Sequence, residues 1–405
     1  MPRPVIVSAA RTPIGRAFRG SLAGERPEDL VIAAVSAALG CVPVLDPAEI
    51  DDIHLGVGVP GGIQGNNLAR VVAVALGWDR TPGVTVSRFC ASSLHAIASA
   101  SQAVRAGDGS VFVAAGVESI SSFHSTDVDN LPGARSPRFA AAAQHARVRA
   151  ARGESWTDPR DWSLLPDVYI SMGQTAENLA ERHGISRNEQ DEYAVRSQEL
   201  TRDRERSGFW AEEITPYTTS DGRLVTADDS PRPMTTKEGL AELPPVFRPD
   251  GSVTAGNSCP LNDGASALVI MSDERAKELG LTPLAEIVGS STAAVSPEIM
   301  GMGPVPAIQR LLARTGLTID DFDEIEINEA FAVQVLANVQ ELGIDPELVN
   351  VNGGSIALGH PYGMTGARIA TTLIHSLRTH GGELGLEAMC VAGGQGMAMA
   401  LRRLT

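Results

Sequence analysis

Cys90 stands in Ser87-Arg88-Phe89-Cys90-Ala91-Ser92-Ser93-Leu94-His95-Ala96-Ile97, where a strand-like run gives way to a helical one. Leu94, Ile97 and Val104 fall on one helical face, which puts Cys90 by the helix N-terminus. Unpaired N–H groups and the helix dipole favour a thiolate there and lower its pKa. The same geometry offers the backbone N–H of Cys90 to an oxyanion. The competing reading is a buried structural cysteine, a common fate of unbridged thiols. His360 lies in Asn352-Gly353-Gly354-Ser355-Ile356-Ala357-Leu358-Gly359-His360-Pro361, where so many glycines imply close backbone approach. A histidine held on such a loop suits general-base work near neutral pH, and a satisfied loop histidine is the alternative. Cys390 opens Cys390-Val391-Ala392-Gly393-Gly394-Gln395-Gly396, a strand end running into a glycine-rich turn. Asn328, in Asn328-Glu329-Ala330-Phe331-Ala332, enters a helix from a strand end, where an amide can orient water or a carbonyl.

These residues need elements to hold them, and the pattern predicts an α/β layered fold. Strands are expected at Val5-Ile6-Val7, Ile53-His54-Leu55, Val84-Thr85-Val86 and Val111-Phe112-Val113. Helices are expected at Asp29 to Leu39 and from about Ala91. The far end repeats this grammar. A helix around Ala307 to Arg314 precedes the strand Asp323-Glu324-Ile325-Glu326-Ile327. An extended Leu348-Val349-Asn350-Val351, a helix around Gly366 to Leu377 and the Cys390 strand follow. Matching Ile53 to Ile325 sets Cys90 opposite the neighbourhood of His360, and the Val113 strand opposite that of Cys390. An internal duplication results, with a site at the junction of the halves.

The predicted organisation is therefore an N-terminal half of residues 1–121 plus 250–274, an inserted loop domain of 122–249, and a C-terminal half of 275–405. The insert is rich in Arg, Pro, Ser and Asp and begins irregularly at Asn130-Leu131-Pro132-Gly133-Ala134. It carries one clear helix, capped by Ser186 with Glu189 and stopped at Gly208.

Composition excludes several classes. The chain has 405 residues, 43% of them hydrophobic and 20% charged, and a formal net charge of −16. That places it among soluble globular proteins and argues against a nucleic-acid binder, which needs a basic face. Its four cysteines, at 41, 90, 259 and 390, are far apart in sequence. They form neither a disulfide framework nor a metal or redox pair, and point to a reducing, cytoplasmic setting. The opening residues carry no signal-peptide pattern, and the longest small-apolar stretch is too short to span a bilayer. Neither membrane nor metal is expected.

Taken in order along the chain, these motifs resemble the thiolase family, the acyl-CoA C-acyltransferases. The likeness begins at Ala9-Ala10-Arg11-Thr12-Pro13-Ile14-Gly15 and runs through the Cys90 motif and Gly116-Val117-Glu118-Ser119. Met172-Gly173-Gln174-Thr175-Ala176-Glu177-Asn178 follows, then Thr254-Ala255-Gly256-Asn257 and Leu261-Asn262-Asp263-Gly264-Ala265. The Asn328, His360 and Cys390 motifs complete it. The resemblance implies a five-layered αβαβα fold of two duplicated halves, and thiolytic cleavage of 3-ketoacyl-CoA or the reverse Claisen condensation, as in fatty acid β-oxidation. It makes Cys90 the acyl-carrying nucleophile, His360 the base and Cys390 the α-proton shuttle. Asn328 would fix an oxyanion-hole water, with His360 contributing to that hole, and the backbone N–H groups of Cys90 and Ala392 would form a second. Coenzyme A, as substrate and with no further cofactor, would meet Arg232, Met172, Ala255, Gly256, Cys259, Ala330 and Phe331. A homodimer or homotetramer is implied.

The chain departs from the family at four places. Cys259 replaces a coenzyme-contacting Ser, Ala392 a Gly, Ser93 a Gly, and Ser171 a His of the short-chain biosynthetic members. Two rivals share the fold: a ketoacyl-synthase-like condensing enzyme, which resembles a Cys-His-His site, and a non-catalytic acyl-CoA-binding or scaffold protein. A third is a dinucleotide site at Gly56-Val57-Gly58-Val59-Pro60-Gly61, which Pro60 interrupts. The basic cluster Arg135, Arg138, Arg147, Arg149 and Arg152 is open to coenzyme phosphates, a neighbouring subunit or plain solvation.

Overall fold

The computed structural model describes residues 2–123 and 135–405. The irregular stretch 130–134 lies outside them. The strands are β1 (Pro4–Arg11), β2 (Gly15–Arg16), β3 (Asp52–Val57), β4 (Gly83–Val86), β5 (Val111–Ser119), β6 (Tyr217–Thr218), β7 (Leu224–Val225), β8 (Asn262–Ser272), β9 (Ala285–Ala294), β10 (Glu324–Ile327), β11 (Leu384–Val391) and β12 (Gln395–Arg403). In the first half the order is β1-β8-β5-β3-β4, with β1–β8 and β8–β5 antiparallel and β5–β3 and β3–β4 parallel. The second half reads β9-β12-β11-β10 with the same senses. Its last place is held by a parallel bridge from Ile325 to Val349. Ile53 and Ile325 lie on matching strands, as do Val113 and Cys390, so the duplication read from pattern is a duplication of topology. The halves meet where β1 pairs β9 at Val5↔Glu286 and Ile6↔Ala285.

Parallel neighbours need long crossovers, and helices supply them. The helix Ser92–Ala106 joins β4 to β5, and the helix Thr365–His380 leads into β11. These two central helices touch at Gly366, where an added Cβ would lie 2.4 Å from Leu94 N, so only glycine fits. Around them Ile97, Leu373, Ile374, Met389 and Met399 pack between the two halves of the sheet, which run into each other through the β1–β9 pairing. On one outer face, Leu30, Val31 and Val72 pack against the first-half strands. On the other, Ile308, Leu311 and Val335 cover the second-half strands. Helix, sheet, helix, sheet, helix is the five-layer arrangement. Each fully buried Leu or Ile in it contributes about 1.5–3 kcal/mol.

Much of segment 122–249 is helical, at Ala140–Ala151, Met172–His183 and Arg187–Ser207. The last has the predicted Ser186–Glu189 capping box and ends at Gly208, φ 82°. The segment is fastened to the sheet by Arg11, fully buried, whose Nε donates to Glu213 Oε1 at 2.6 Å and whose Nη atoms donate to Asp228 at 2.8 and 3.0 Å. A buried guanidinium requires such pairing, and loss of either carboxylate would strand it. The expected strand at 348–351 is reduced to isolated bridges, Val349 to Ile325 and Val351 to Gly353. Asn350 has φ 49°, which turns the chain away, and its side chain bonds Ile327 N, Ile327 O and Glu329 instead.

Candidate active site

Cys90 sits in a 3-10 turn, Phe89–Ala91, immediately before the helix Ser92–Ala106. Phe89 has φ 45°, a conformation costly for a bulky residue, and Ser92 holds the turn around it. Ser92 Oγ accepts Arg88 N–H at 2.9 Å and lies 2.6 Å from Phe89 O. Gly56 lets β3 approach this helix start, since a Cβ there would meet Ser93 N at 2.2 Å. Ser93, in place of glycine, accepts Ala367 N–H at 2.8 Å and ties the two central helices together.

His360 is buried ahead of the helix Thr365–His380. Thr365 Oγ1 donates to Pro361 O at 2.8 Å, so the same oxygen accepts from His360 Nδ1 at 2.7 Å. That fixes the proton on Nδ1 and leaves Nε2 as the basic atom. Asn328 Nδ2 lies 3.4 Å from Nε2. Its Oδ1 is committed to the Ser355 hydroxyl at 2.7 Å, and Ser355 Oγ in turn accepts Arg368 Nη2 at 2.9 Å. A directed chain Arg368–Ser355–Asn328 thus aims an amide N–H at the imidazole. Asn262 Oδ1 accepts His360 N–H at 3.0 Å, while its Nδ2 binds Gly15 O and Ser230 Oγ. Gly359, φ 114°, leaves room for Asn262, which any Cβ would strike. Burial, with Arg368 nearby, lowers the His360 pKa to about 3, so the resting imidazole is neutral.

Cys390 ends β11, fully buried, and burial with Cys259 nearby pushes its thiol up to about 12. The turn that follows uses Gly393, φ 77°, and Gly394, φ 80°. Gln395 Oε1 accepts Arg88 Nη1 at 3.0 Å, which joins the Cys390 turn to the residues before Cys90. Cys259 is half-buried by exposed area but densely surrounded, and its thiol too is pushed up, by burial first and Cys90 second. These mutual influences bring Cys90, Cys259 and Cys390 into one neighbourhood, and Cys41 lies exposed outside it.

The residues expected around coenzyme A fall in two groups. Cys259 N–H donates to Ala330 O at 3.1 Å, and Ser258 bridges Phe331. Met172 packs on the apolar cluster of Ala330, Phe331 and Cys390. Gly256 is buried against Leu240 and Leu243, while Ala255 is exposed beside it. Arg232 is exposed on the segment that follows Asp228, Asp229 and Ser230, and its N–H donates to Gln198 Oε1 at 2.7 Å. Burial and then Arg16 and Arg19 lower its pKa, so three guanidinium groups share one region.

Of the basic cluster, Arg149 is buried and donates to Asn178 Oδ1 at 3.0 Å, and Arg152 pairs with Glu154 at 3.6 Å. Arg138 is exposed, and Arg135 and Arg147 line a cavity. The glycines at 56–61 are not a phosphate cradle. Gly58 and Val59 N–H are taken by the buried Glu118 carboxylate at 2.8 and 3.3 Å, and Gly363 N–H joins them at 2.8 Å. Among the described residues no group of three or more His, Cys, Asp or Glu side chains is placed to hold a metal, and no helix is long and apolar enough to cross a membrane.

Sequence reasoning missed the residues that orient the site, Ser355, Thr365, Asn262 and Arg368. One signal was present: Arg368 is a cation in the otherwise apolar run Ala367, Ile369, Ala370 of a central helix.

Two duplicated α/β halves, with a thiol at the head of one central helix and an oriented imidazole ahead of the other, define an acyl-transferring enzyme. Residues 4–274 match the family Thiolase, N-terminal domain, and residues 281–403 match Thiolase, C-terminal domain. The chain is 43% identical over 411 residues to the beta-ketoadipyl-CoA thiolase of Pseudomonas aeruginosa, with 98% of each chain covered. It is 42% identical over 412 residues to the 3-oxoadipyl-CoA/3-oxo-5,6-dehydrosuberyl-CoA thiolase of Escherichia coli, covering 98% of this chain and 99% of that one. Among solved structures it is similar to the Bacillus anthracis acetyl-CoA acetyltransferase, with TM-score 0.86 and 41% identity over 100% of this chain and 99% of that one. It is also similar to human mitochondrial 3-ketoacyl-CoA thiolase in complex with CoA, with TM-score 0.85 and 36% identity over 99% and 98% of the two chains. This chain belongs to the thiolase family. It is an enzyme, an acyl-CoA C-acyltransferase of thiolytic cleavage.

Proposed function

We propose that the acyl group is carried on Cys90. The observation that carries this reading is the fixed His360 tautomer, which presents a neutral, basic Nε2. In the cleavage direction the Cys90 sulfur attacks the C3 carbonyl of a 3-ketoacyl-CoA as its proton passes to His360. The C2–C3 bond then breaks. The acetyl-CoA enolate takes a proton from Cys390, whose thiol burial keeps protonated until that moment. In the second half, Cys390 takes the thiol proton of coenzyme A, the resulting thiolate attacks acyl-Cys90, and acyl-CoA leaves. Cys90 recovers its proton from His360. A water held by Asn328, together with His360, stabilises one oxyanion, and the N–H groups of Cys90 and Ala392 stabilise the other.

Coenzyme A is the co-substrate, with no further cofactor. Met172, Cys259, Ala330 and Phe331 line its thiol arm, with Ala255 and Gly256 alongside. Arg232, with Arg16 and Arg19, meets its phosphates. Residues 122–249 form the insert over this site, since they supply both Met172 and Arg232. The edge strand β4 with exposed Val84, beside exposed Val71 and Val74, supports a homodimer or homotetramer, which sedimentation velocity reads directly. Four cysteines without a disulfide support a cytoplasmic setting.

The half-reactions separate the two cysteines. Loading Cys90 from acetyl-CoA is thioester exchange and involves no α-proton. Cys390→Ala should therefore still gain an acetyl mass on Cys90 yet lose most thiolysis of a 3-ketoacyl-CoA, while Cys90→Ala should do neither. Near wild-type thiolysis by Cys390→Ala would remove Cys390 from the mechanism.

A further inference from the structure

The cavity beside the Cys390 turn holds charge that the mechanism above does not use. It measures about 430 Å3 and is lined by Arg135, Arg147, Asp167, Tyr169, Ser171 and Phe247 among others. Arg135 lies over the Tyr169 ring, 5.9 Å from its centroid, and its Nε is buried with no hydrogen-bond partner among the described residues. Arg147 forms no ion pair within 4 Å among the described residues. Both guanidinium groups act on Asp167 and favour its charge against burial. That carboxylate is already used by Tyr169 N–H at 3.0 Å. Glu298, next inward, is spent on Trp156 Nε1 at 2.8 Å and Asp167 N–H at 3.0 Å. Among the described residues that line the cavity there are thus two cations and one anion, a surplus of positive charge.

Its position makes that charge relevant to the acyl group. Val168 Cγ2 lies 3.9 Å from where a Cβ on Gly393 would be, in the turn after Cys390. Phe247 packs edge-on against Phe331, with centroids 6.3 Å apart. Ser171 precedes Met172, which packs against the apolar cluster that contains Cys390. The wall of the cavity is thus one layer from the reacting centre, within reach of a short acyl chain. A phosphate at the far end of an extended pantetheine arm belongs farther away, and the grouping of Arg16, Arg19 and Arg232 already provides for it.

We infer that this cavity receives the distal end of the acyl chain, and that Arg135 and Arg147 bind a carboxylate there. The preferred substrates are then 3-oxoacyl-CoA esters of short dicarboxylic acids. The inference rests on the acyl-Cys90 reading above. A methyl-ended chain would leave the buried Arg135 Nε unpartnered, whereas a carboxylate supplies charge-assisted hydrogen bonds in a fork geometry. The pocket is of ordinary size for a small-molecule subsite.

The test compares thiolysis of 3-oxoadipyl-CoA, 3-oxohexanoyl-CoA and acetoacetyl-CoA by the full-length enzyme. The first two are equal in length and differ in the terminal carboxylate. Wild type should prefer 3-oxoadipyl-CoA over 3-oxohexanoyl-CoA by at least about tenfold in kcat/KM, as a charged hydrogen bond supports. In the double variant Arg135→Met, Arg147→Met, that preference should collapse to about twofold, with acetoacetyl-CoA cleavage kept within about threefold. A wild type without the preference overturns the inference with no variant needed. Equal loss on all three substrates in the variant also overturns it, by assigning the arginines to coenzyme A. Absence of acyl-Cys90 with every substrate overturns the underlying reading as well.

Discussion

Ser355 donates its hydroxyl to Asn328 Oδ1 at 2.7 Å, which settles the direction in which the Asn328 amide faces. With the oxygen committed, the NH2 group is left to face His360 Nε2, and Arg368 holds Ser355 from behind.

Replacing Ser355 by Ala should therefore act on rate more than on binding. The freed amide can rotate, and kcat should fall about tenfold or more with KM little changed. Arg368 Nη2 also loses an acceptor, at a stability cost of roughly 1–3 kcal/mol. Steady-state kinetics and thermal melts check both. An unchanged kcat in a folded variant would remove Ser355 from the positioning chain.

Glu326 and Glu387 are in register on the parallel strands β10 and β11, both buried, with Arg368 the cation that acts on each. Burial pushes Glu326 up to about 8 from the ordinary 4.5. The folded state thus holds a proton that the unfolded chain releases, and the stability this gives is present below pH 4.5 and lost as pH rises through 8. Glu326→Gln should flatten that decline, gaining roughly 1–3 kcal/mol over wild type near pH 9. Denaturant melts at pH 6 and pH 9 would refute it if the two proteins ran parallel.

Cys259→Ser restores a better hydrogen-bond donor beside Ala330 without changing size much. Coenzyme A affinity should tighten by at most about 1 kcal/mol, read by titration calorimetry. A variant that binds normally but does not turn over would show that the thiol of Cys259 takes part in chemistry.

Brief, substoichiometric iodoacetamide at neutral pH should label Cys90 first. Cys390 and Cys259 hold their protons, and Cys41, though exposed, follows the C-terminal end of the helix Pro27–Gly40, away from any N-terminal donors. Peptide mapping that found Cys41 or Cys259 labelled ahead of Cys90 would count against an activated thiol at the helix head.

The alternation of strands and helices was legible because each half-buried or buried run keeps its period, and so was the duplication. The helices Ala140–Ala151 and Met172–His183 were not. The first packs Ala142, Ala143 and Ala146, too small to make a visible apolar stripe. The second buries Thr175, Glu177 and Asn178, whose burial depends on partners such as Arg248 and Ser252, about 70 residues away along the chain. The same holds in the site: Cys90, His360, Cys390 and Asn328 announce themselves by type and setting. Asn262 acquires its part only when folding carries it across to the His360 backbone.

The matched strand orders of the two halves carry a historical consequence. Two identical copies associating about a symmetry axis would have shown the same side chain at both helix heads, so a change made for one purpose would be imposed on both. Once both are carried on a single chain, whose halves meet where β1 pairs β9 at Val5 and Ile6, each copy is free to diverge. One now has sulfur at its helix head and the other imidazole ahead of its own. The result of that division of labour is a single working centre where a symmetric pair would have room for two.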